Sequence, residues 1–325
     1  MDSRNPSFLS RSGKLEPNAL PLYNRGRLVP GVTYEFFRFR FRFRALDSLF
    51  FPPGKSTNVL RGAFGTLLRG TAAPAEYVRL FQPGMALGAS PSGLADWPRP
   101  FIFRASHLDG LRVPPHGAFF VDVHAFDLHA PVLPHFRTAF GQLAVQGMGP
   151  GRGRAELAGV DQLDLEDHAA PAGDGMADPT AIPLDPEPNP EPNPAERVRI
   201  RFVTPTELKS GGQLAEQPEF PILFGRLRDR ISTLRSFYGA GPLEIDFHAM
   251  AARAAQIRMV DCQLVWERLE RKSGRTGQVH PLGGFTGEAE YQGELAEFLP
   301  FLRAARWVGV GRQTVWGKGD LRVLP

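Results

Sequence analysis

Two glycine-rich segments offer the most direct chemistry in this sequence: VGVGRQTVWGKGDL at residues 308–321 and GMGPGRGRAELAGV at 147–160. In the first, Gly309, Gly311, Gly317 and Gly319 let backbone N–H groups approach a ligand closely, and Arg312, Thr314 and Lys318 add side-chain donors. In the second, Arg152 and Arg154 interleave with Gly147, Gly149, Gly151 and Gly153. Donors of this kind suit phosphates, and two such segments in one chain point to an RNA backbone. A tight structural turn is the other reading of each. Neither segment has the GxxxxGK[ST] spacing, and both follow a helical pattern and precede a strand, the reverse of a dinucleotide-binding loop.

Two runs of alternating arginines come next. FFRFRFRFRAL sets Phe37, Phe39, Phe41 and Phe43 against Arg38, Arg40, Arg42 and Arg44, and RVRIRFV does the same with Arg197, Arg199 and Arg201. On a strand the two sets face opposite ways, with like side chains about 6.5–7 Å apart. Such a row could follow phosphates, or be a solvated face, or be covered by another domain. Among the histidines, His124, His129 and His135 lie near Asp122 and Asp127, but their spacing does not bring them to one face, so no metal site and no cofactor are expected. His280, beside a glycine-rich turn (Gly277, Gly283, Gly284), is the preferred candidate for acid–base work on a ribose 2′-OH. Serine-hydrolase and zinc-protease patterns are absent.

These groups need elements to hold them. Residues 169–196 carry six acids, no Lys or Arg, and the run PEPNPEPNP, a composition that reads as a disordered linker. Removing those acids raises the net charge from +4 to +10, which favours a polyanionic partner. The linker divides the chain into an extension (1–29), an N-terminal domain (30–168) and a C-terminal domain (197–325). Each domain opens on an arginine strand and closes on a glycine loop, as an internal duplication would. Ser56-Thr57 is expected to cap a helix through VLRGAFGTLLRG, and Pro131 to Val145 reads as a second helix. In the other half FPILFGRLRDRISTLRSFYG is helical, IRMVDCQLVWERLER alternates as a strand, and ELAEFLPFLRAARWV is a helix that Pro300 kinks. The order β-α-β-β-α-β makes each half an α+β, ferredoxin-like domain. One cysteine, no secretory leader pattern and no membrane-length apolar run fit a cytoplasmic protein.

The C-terminal half, through RIRFVTPTELK, FGRLRDRISTLRSFYG and HPLGGFTGEAEYQGELAEFLPFLRAARWVGVGRQTVWGKGDLRV, resembles the CRISPR repeat-processing endoribonuclease, the sixth CRISPR-associated protein of the RAMP superfamily. LRGAFGTLLRG, EYVRLF, WPRPFIF and GMGPGRGR extend the resemblance to the N-terminal half. It implies two ferredoxin-like RAMP domains, binding of the repeat in precursor CRISPR RNA, and metal-independent 2′-OH attack leaving a 2′,3′-cyclic phosphate. It implies as partners other subunits of a CRISPR effector complex, with a second copy of the chain as a further candidate. The family's catalytic histidine lies in or near the first helix; residues 55–69 contain none. Lys55, Ser56 and Arg61 are the substitutes there, with Tyr34 near in sequence. The alternative is a non-catalytic RNA-binding RAMP subunit that uses the same loops without cleavage.

Overall fold

The Phe/Arg alternation seeds the first half of the molecule. The computed structural model describes residues 31–84, 97–173, 178–185, 196–272 and 279–324, and in it Thr33–Ala45 is one strand, β1. Phe37, Phe39, Phe41 and Phe43 are buried on one face, where Phe41 meets Phe140 at 4.6 Å and Phe43 stacks on Phe119 at 5.1 Å between ring centroids. The arginines take the other face, as period-two geometry requires. They do not form a bare basic ladder. Arg38 pairs with Asp167, Arg40 makes two 2.8 Å hydrogen bonds to Asp122, and Arg42 lies 2.6 Å from Asp161.

After β1 come α1 (Ser56–Thr71), α2 (Pro74–Phe81), β2 (Phe101–Arg104), β3 (Ala118–Ala125), α3 (Leu133–Gln146) and β4 (Ala155–Leu163). The antiparallel order β2-β3-β1-β4 is that of a ferredoxin-like sheet, with α1 and α3 over its phenylalanine face. Two short strands follow, β5 (Ala169–Pro171) on β4 and β6 (Thr180–Pro183) on the first four residues of β1. The second half repeats the plan with β7 (Arg197–Thr206), α4 (Phe220–Tyr238), α5 (Phe247–Ala254), β8 (Arg258–Glu267), β9 (Gly284–Gln292), α6 (Leu299–Val308) and β10 (Leu321–Leu324). Its sheet order, β8-β9-β7-β10, is the same, and every pairing in it is antiparallel.

Three sequence expectations need correction. Residues 169–196 are not all linker: β6 covers an open edge of β1, and Ile182 and Leu184 are buried, two apolar side chains that proline content had hidden. Residues 174–177 and 186–195, like the extension, lie outside the described residues. Pro300 does not kink a long helix. It occupies the first turn of α6, where its missing N–H costs nothing, and the helix starts at Leu299. The helix expected from Pro131 likewise begins at Leu133, with a proline in its first turn.

From Val32 onward the two sheets form one unit, because each core takes side chains from the other half. The core of the second half includes Tyr34, Phe36, Ile102, Phe126, Ile182 and Leu184. The core of the first half receives Val315, with Trp316 packed beside it. Within that first core Phe64 of α1 is fully buried, with ring centroids 5.1 Å from Phe103 and 4.8 Å from Phe136. Phe64→Ala should cost about 3–5 kcal/mol of stability through lost transfer energy and a cavity. Chemical denaturation of the purified variant checks this.

Candidate active site

The first turn of α1 is capped from outside. Asp109, in the loop after a 3-10 turn at Ser106–Leu108, accepts from Ser56 N at 2.9 Å, and its Oδ1 lies 2.6 Å from Ser56 Oγ. A carboxylate there satisfies an orphan donor and meets the positive end of the helix dipole. Ser56 is therefore buried with its hydroxyl committed to Asp109 and the Ala105 carbonyl, and it does not cap the helix itself. Lys55, one residue earlier, is exposed. Gly54, at a φ of +66°, sits against the Leu269 side chain of the second half.

The glycine loop of the second half reaches the same place. Gly317, at φ +74°, lies so close to Thr57 that a Cβ there would stand 2.8 Å from its side chain. Next to it Lys318 is 7 % exposed, and among the described residues no carboxylate pairs with it. Burial holds its ammonium below the ordinary lysine value, while the charges of Asp109 and Glu267 oppose that shift. Trp316, just before Gly317, lies on the Arg61 guanidinium, which is 3.8 Å from its ring centre and 4.2 Å from that of Phe81. Arg61 is thus buried between two rings as a clamp, and its guanidinium is turned to the protein instead of to solvent.

The remaining loop residues are engaged within the protein. Gly309, Gly311 and Gly319 all have positive φ, and a Cβ on Gly319 would fall 1.9 Å from the Val310 carbonyl oxygen. Thr314 is buried. Arg312 is half-exposed and paired with Glu207. In the N-terminal loop Arg152 is exposed at a φ of 48°, whereas Arg154 lies 2.8 Å from Asp47. Tyr34 is not brought to α1: it is buried in the second core against Phe36 and Phe126, and desolvation pushes its phenol well above the usual range. His280 has its backbone in a short hairpin, paired with Arg271, directly beyond Leu269; its side chain lies outside the described residues.

What sequence reading missed is the support behind the loop. The last three carbonyls of α6 each accept from a side chain distant in sequence: Arg306 O from Arg104 Nη2 at 3.1 Å, Trp307 O from His124 Nδ1 at 2.8 Å, and Val308 O from Arg230 Nε at 3.0 Å. All three satisfy orphan acceptors, and the two arginines also place positive charge at the negative end of the dipole. His124 is buried, and desolvation, reinforced by Arg104, keeps it neutral, with its proton on Nδ1 to meet a carbonyl. No local motif announces this set, because the partners stand more than 70 residues away in the chain.

Residues 200–321 match the family model of the CRISPR-associated endoribonuclease Cas6. That match takes in most of the C-terminal half. Residues 34–175 match a second model, described as an N-terminal domain. The fold of a Cas6 product complex aligns at a TM-score of 0.55 with 21% identity, over 89% of this chain and 99% of that one. Thermus thermophilus Cas6 aligns at 0.51 with 18% identity, over 90% and 100%. A partial Cas6-RT-Cas1–Cas2 complex aligns at 0.55 with 12% identity, over 91% of this chain and 46% of that chain. A comparison with curated proteins finds no match. The fold shared with these Cas6 structures thus spans both halves, and the glycine loop at 308–321 is seated at their seam. No described helix is long and apolar enough to cross a membrane.

The buried imidazole gives this seam a pH dependence. The unfolded chain protonates His124 below about pH 6.5, whereas the folded chain resists protonation to lower pH. Acidification therefore favours unfolding, by about 1.4 kcal/mol per pH unit for this one proton until the folded value is reached. His124→Asn, which keeps a donor toward Trp307 O, should flatten the fall in stability between pH 6.5 and 5. Denaturation curves at stepped pH for both proteins measure the difference.

Proposed function

We propose that this chain is an endoribonuclease that binds the repeat of precursor CRISPR RNA and cleaves it without a metal. The observation that carries the reading is the seating of the glycine loop at the first turn of α1 in a Cas6 fold, with Gly317 against Thr57 and, next to it, a buried Lys318 that has no carboxylate partner among the described residues. In the reaction the ribose 2′-oxygen bonds to the adjacent phosphorus and the bond to the 5′-oxygen breaks, leaving a 2′,3′-cyclic phosphate and a 5′-hydroxyl. Cationic side chains fixed beside the phosphate stabilise the charge that builds on it and hold the attack in line. Lys55, exposed at this turn, and His280 are the candidates for that role. Arg152 and Arg312, both at exposed loop tips, would grip phosphates of the flanking strand, with the halves 30–168 and 197–325 forming the two sides of the binding surface. Such a protein works in the cytoplasm and passes the processed RNA to other CRISPR subunits; self-association into a homodimer is compatible with this role.

A second reading, a non-catalytic RNA-binding subunit, draws on one specific observation: no histidine lies in α1. One assay separates the two. Purified protein is incubated with end-labelled repeat RNA from a CRISPR array of the same genome, in EDTA. A single cut with a cyclic-phosphate end is the expected result, and Lys55→Ala or His280→Ala should slow cutting more than they weaken binding. Tight binding with no cut supports the second reading instead.

Affinity has its own test. Arg152→Ala and Arg312→Ala together should weaken RNA binding and reduce the slope of log K against log salt by about 1–2, one released counterion per lost phosphate contact. An unchanged slope in a salt titration would remove both residues from the RNA surface.

A further inference from the structure

We propose that Lys318 is the general acid of the cleavage step, donating a proton from Nζ to the 5′-oxygen as it leaves the scissile phosphate. The inference rests on the endoribonuclease reading and deepens it, because it moves Lys318 from a phosphate-holding loop to the chemistry itself.

Burial and pairing set Lys318 apart. Several arginines on the sheet faces and in the glycine loop are matched by carboxylates: Arg40 by Asp122, Arg199 by Glu290, Arg201 by Glu288, Arg312 by Glu207. Lys318 is more buried than the first three of these pairs, yet no carboxylate or carbonyl among the described residues bonds its ammonium. The residue as a whole is buried, yet Nζ is not among the side-chain atoms shut off from solvent without a partner, so the ammonium has lost much of its hydration and gained no partner in return. A fold that needed only packing there would place an apolar chain. An anion bound beside the first turn of α1, on which Gly317 packs, would supply the missing partner.

The surrounding groups reinforce the assignment. Two carboxylates face Lys318 from other elements, Asp109 from the loop after β2 and Glu267 from the end of β8. Both are committed elsewhere: Asp109 holds Ser56, and Glu267 accepts from Thr286 Oγ1 at 2.8 Å. The backbone on either side is rigid. Gly317 packs on Thr57, and Gly319 N donates to Pro205 O at 3.1 Å while its carbonyl accepts from Val310 N at 2.9 Å. The lysine is therefore presented on a fixed support, as proton transfer at a defined oxygen requires. Burial also weakens the hold of its amine on the proton, which favours donation.

The step balances as follows. The 2′-oxygen forms its bond to phosphorus and gives its proton to water; the phosphorus–5′-oxygen bond breaks, and Lys318 supplies the proton that makes the 5′-hydroxyl. The neutral amine left behind regains a proton from solvent before the next turnover.

A substrate with sulfur in place of the bridging 5′-oxygen tests this, since a thiolate leaves without protonation. On ordinary repeat RNA, Lys318→Ala should slow single-turnover cleavage by about 10²–10⁴-fold, the usual range for a general acid, with RNA affinity nearly unchanged. On the sulfur-bridged RNA the same variant should come within about tenfold of wild type, most of that factor recovered. Lys318→Met, which keeps the buried stem, should behave alike and guards against a folding defect. Equal slowing on both RNAs, or a loss confined to affinity, would overturn the assignment and leave the nuclease reading standing. Wild-type protein that binds but never cuts would overturn both.

Discussion

The insertion of Val315 and Trp316 into the core of the other half is the contact on which the rest of the arrangement depends. The two glycine loops are built alike at their ends: Met148 N donates to Gly153 O at 2.8 Å, and Val310 N to Gly319 O at 2.9 Å. Between those ends the second loop is four residues longer, and the added length carries the turn Thr314–Trp316. Val315 joins the phenylalanine core, and Trp316 closes over Arg61. Apolar burial together with a cation–π contact fixes the loop on α1. Gly317 and Lys318 follow directly, so their positions are consequences of that anchor.

A loop anchored at one end must also be held where it begins. It starts at the C-terminus of α6, where the unpaired carbonyls of a helix would be costly if buried. Arg104, His124 and Arg230 satisfy three of them in turn. Arg104 and His124 come from β2 and β3 of the first half, so completing this helix end also ties the halves together. Arg306 adds an ion pair to Asp167, which also holds Arg38 of β1. The seam is consequently polar and specific at its edge and apolar beneath.

Charge was distributed differently from what composition suggested. The arginine rows that a basic chain seemed to offer to phosphates are largely neutralised by cross-strand carboxylates, as with Arg197 and Arg199 on Glu290. Such exposed pairs contribute little to stability but remove a free cationic face. Among the described basic groups without a carboxylate, Lys55 stands at the first turn of α1, and Arg152 and Lys318 in the two glycine loops. Binding and chemistry thus move from the sheet faces to the seam.

The sequence alone determined the ferredoxin-like order of each half, because period-two and helical spacing are local properties that each strand and helix carries within itself. It also singled out Gly309, Gly311, Gly317 and Gly319, and the structure adds close backbone packing as a reason that glycine stands there. The β6 strand was not legible, since its Ile182 is meaningful only beside the open edge of β1, about 145 residues earlier. Which candidates meet was decided only by tertiary structure: burial removed Tyr34 to the other core and committed Ser56 and Arg61, while packing brought Gly317, with Lys318 next to it, to Thr57 from 260 residues away. Local pattern can state what a residue is able to do. Only the packing of the two halves states what it is left free to touch.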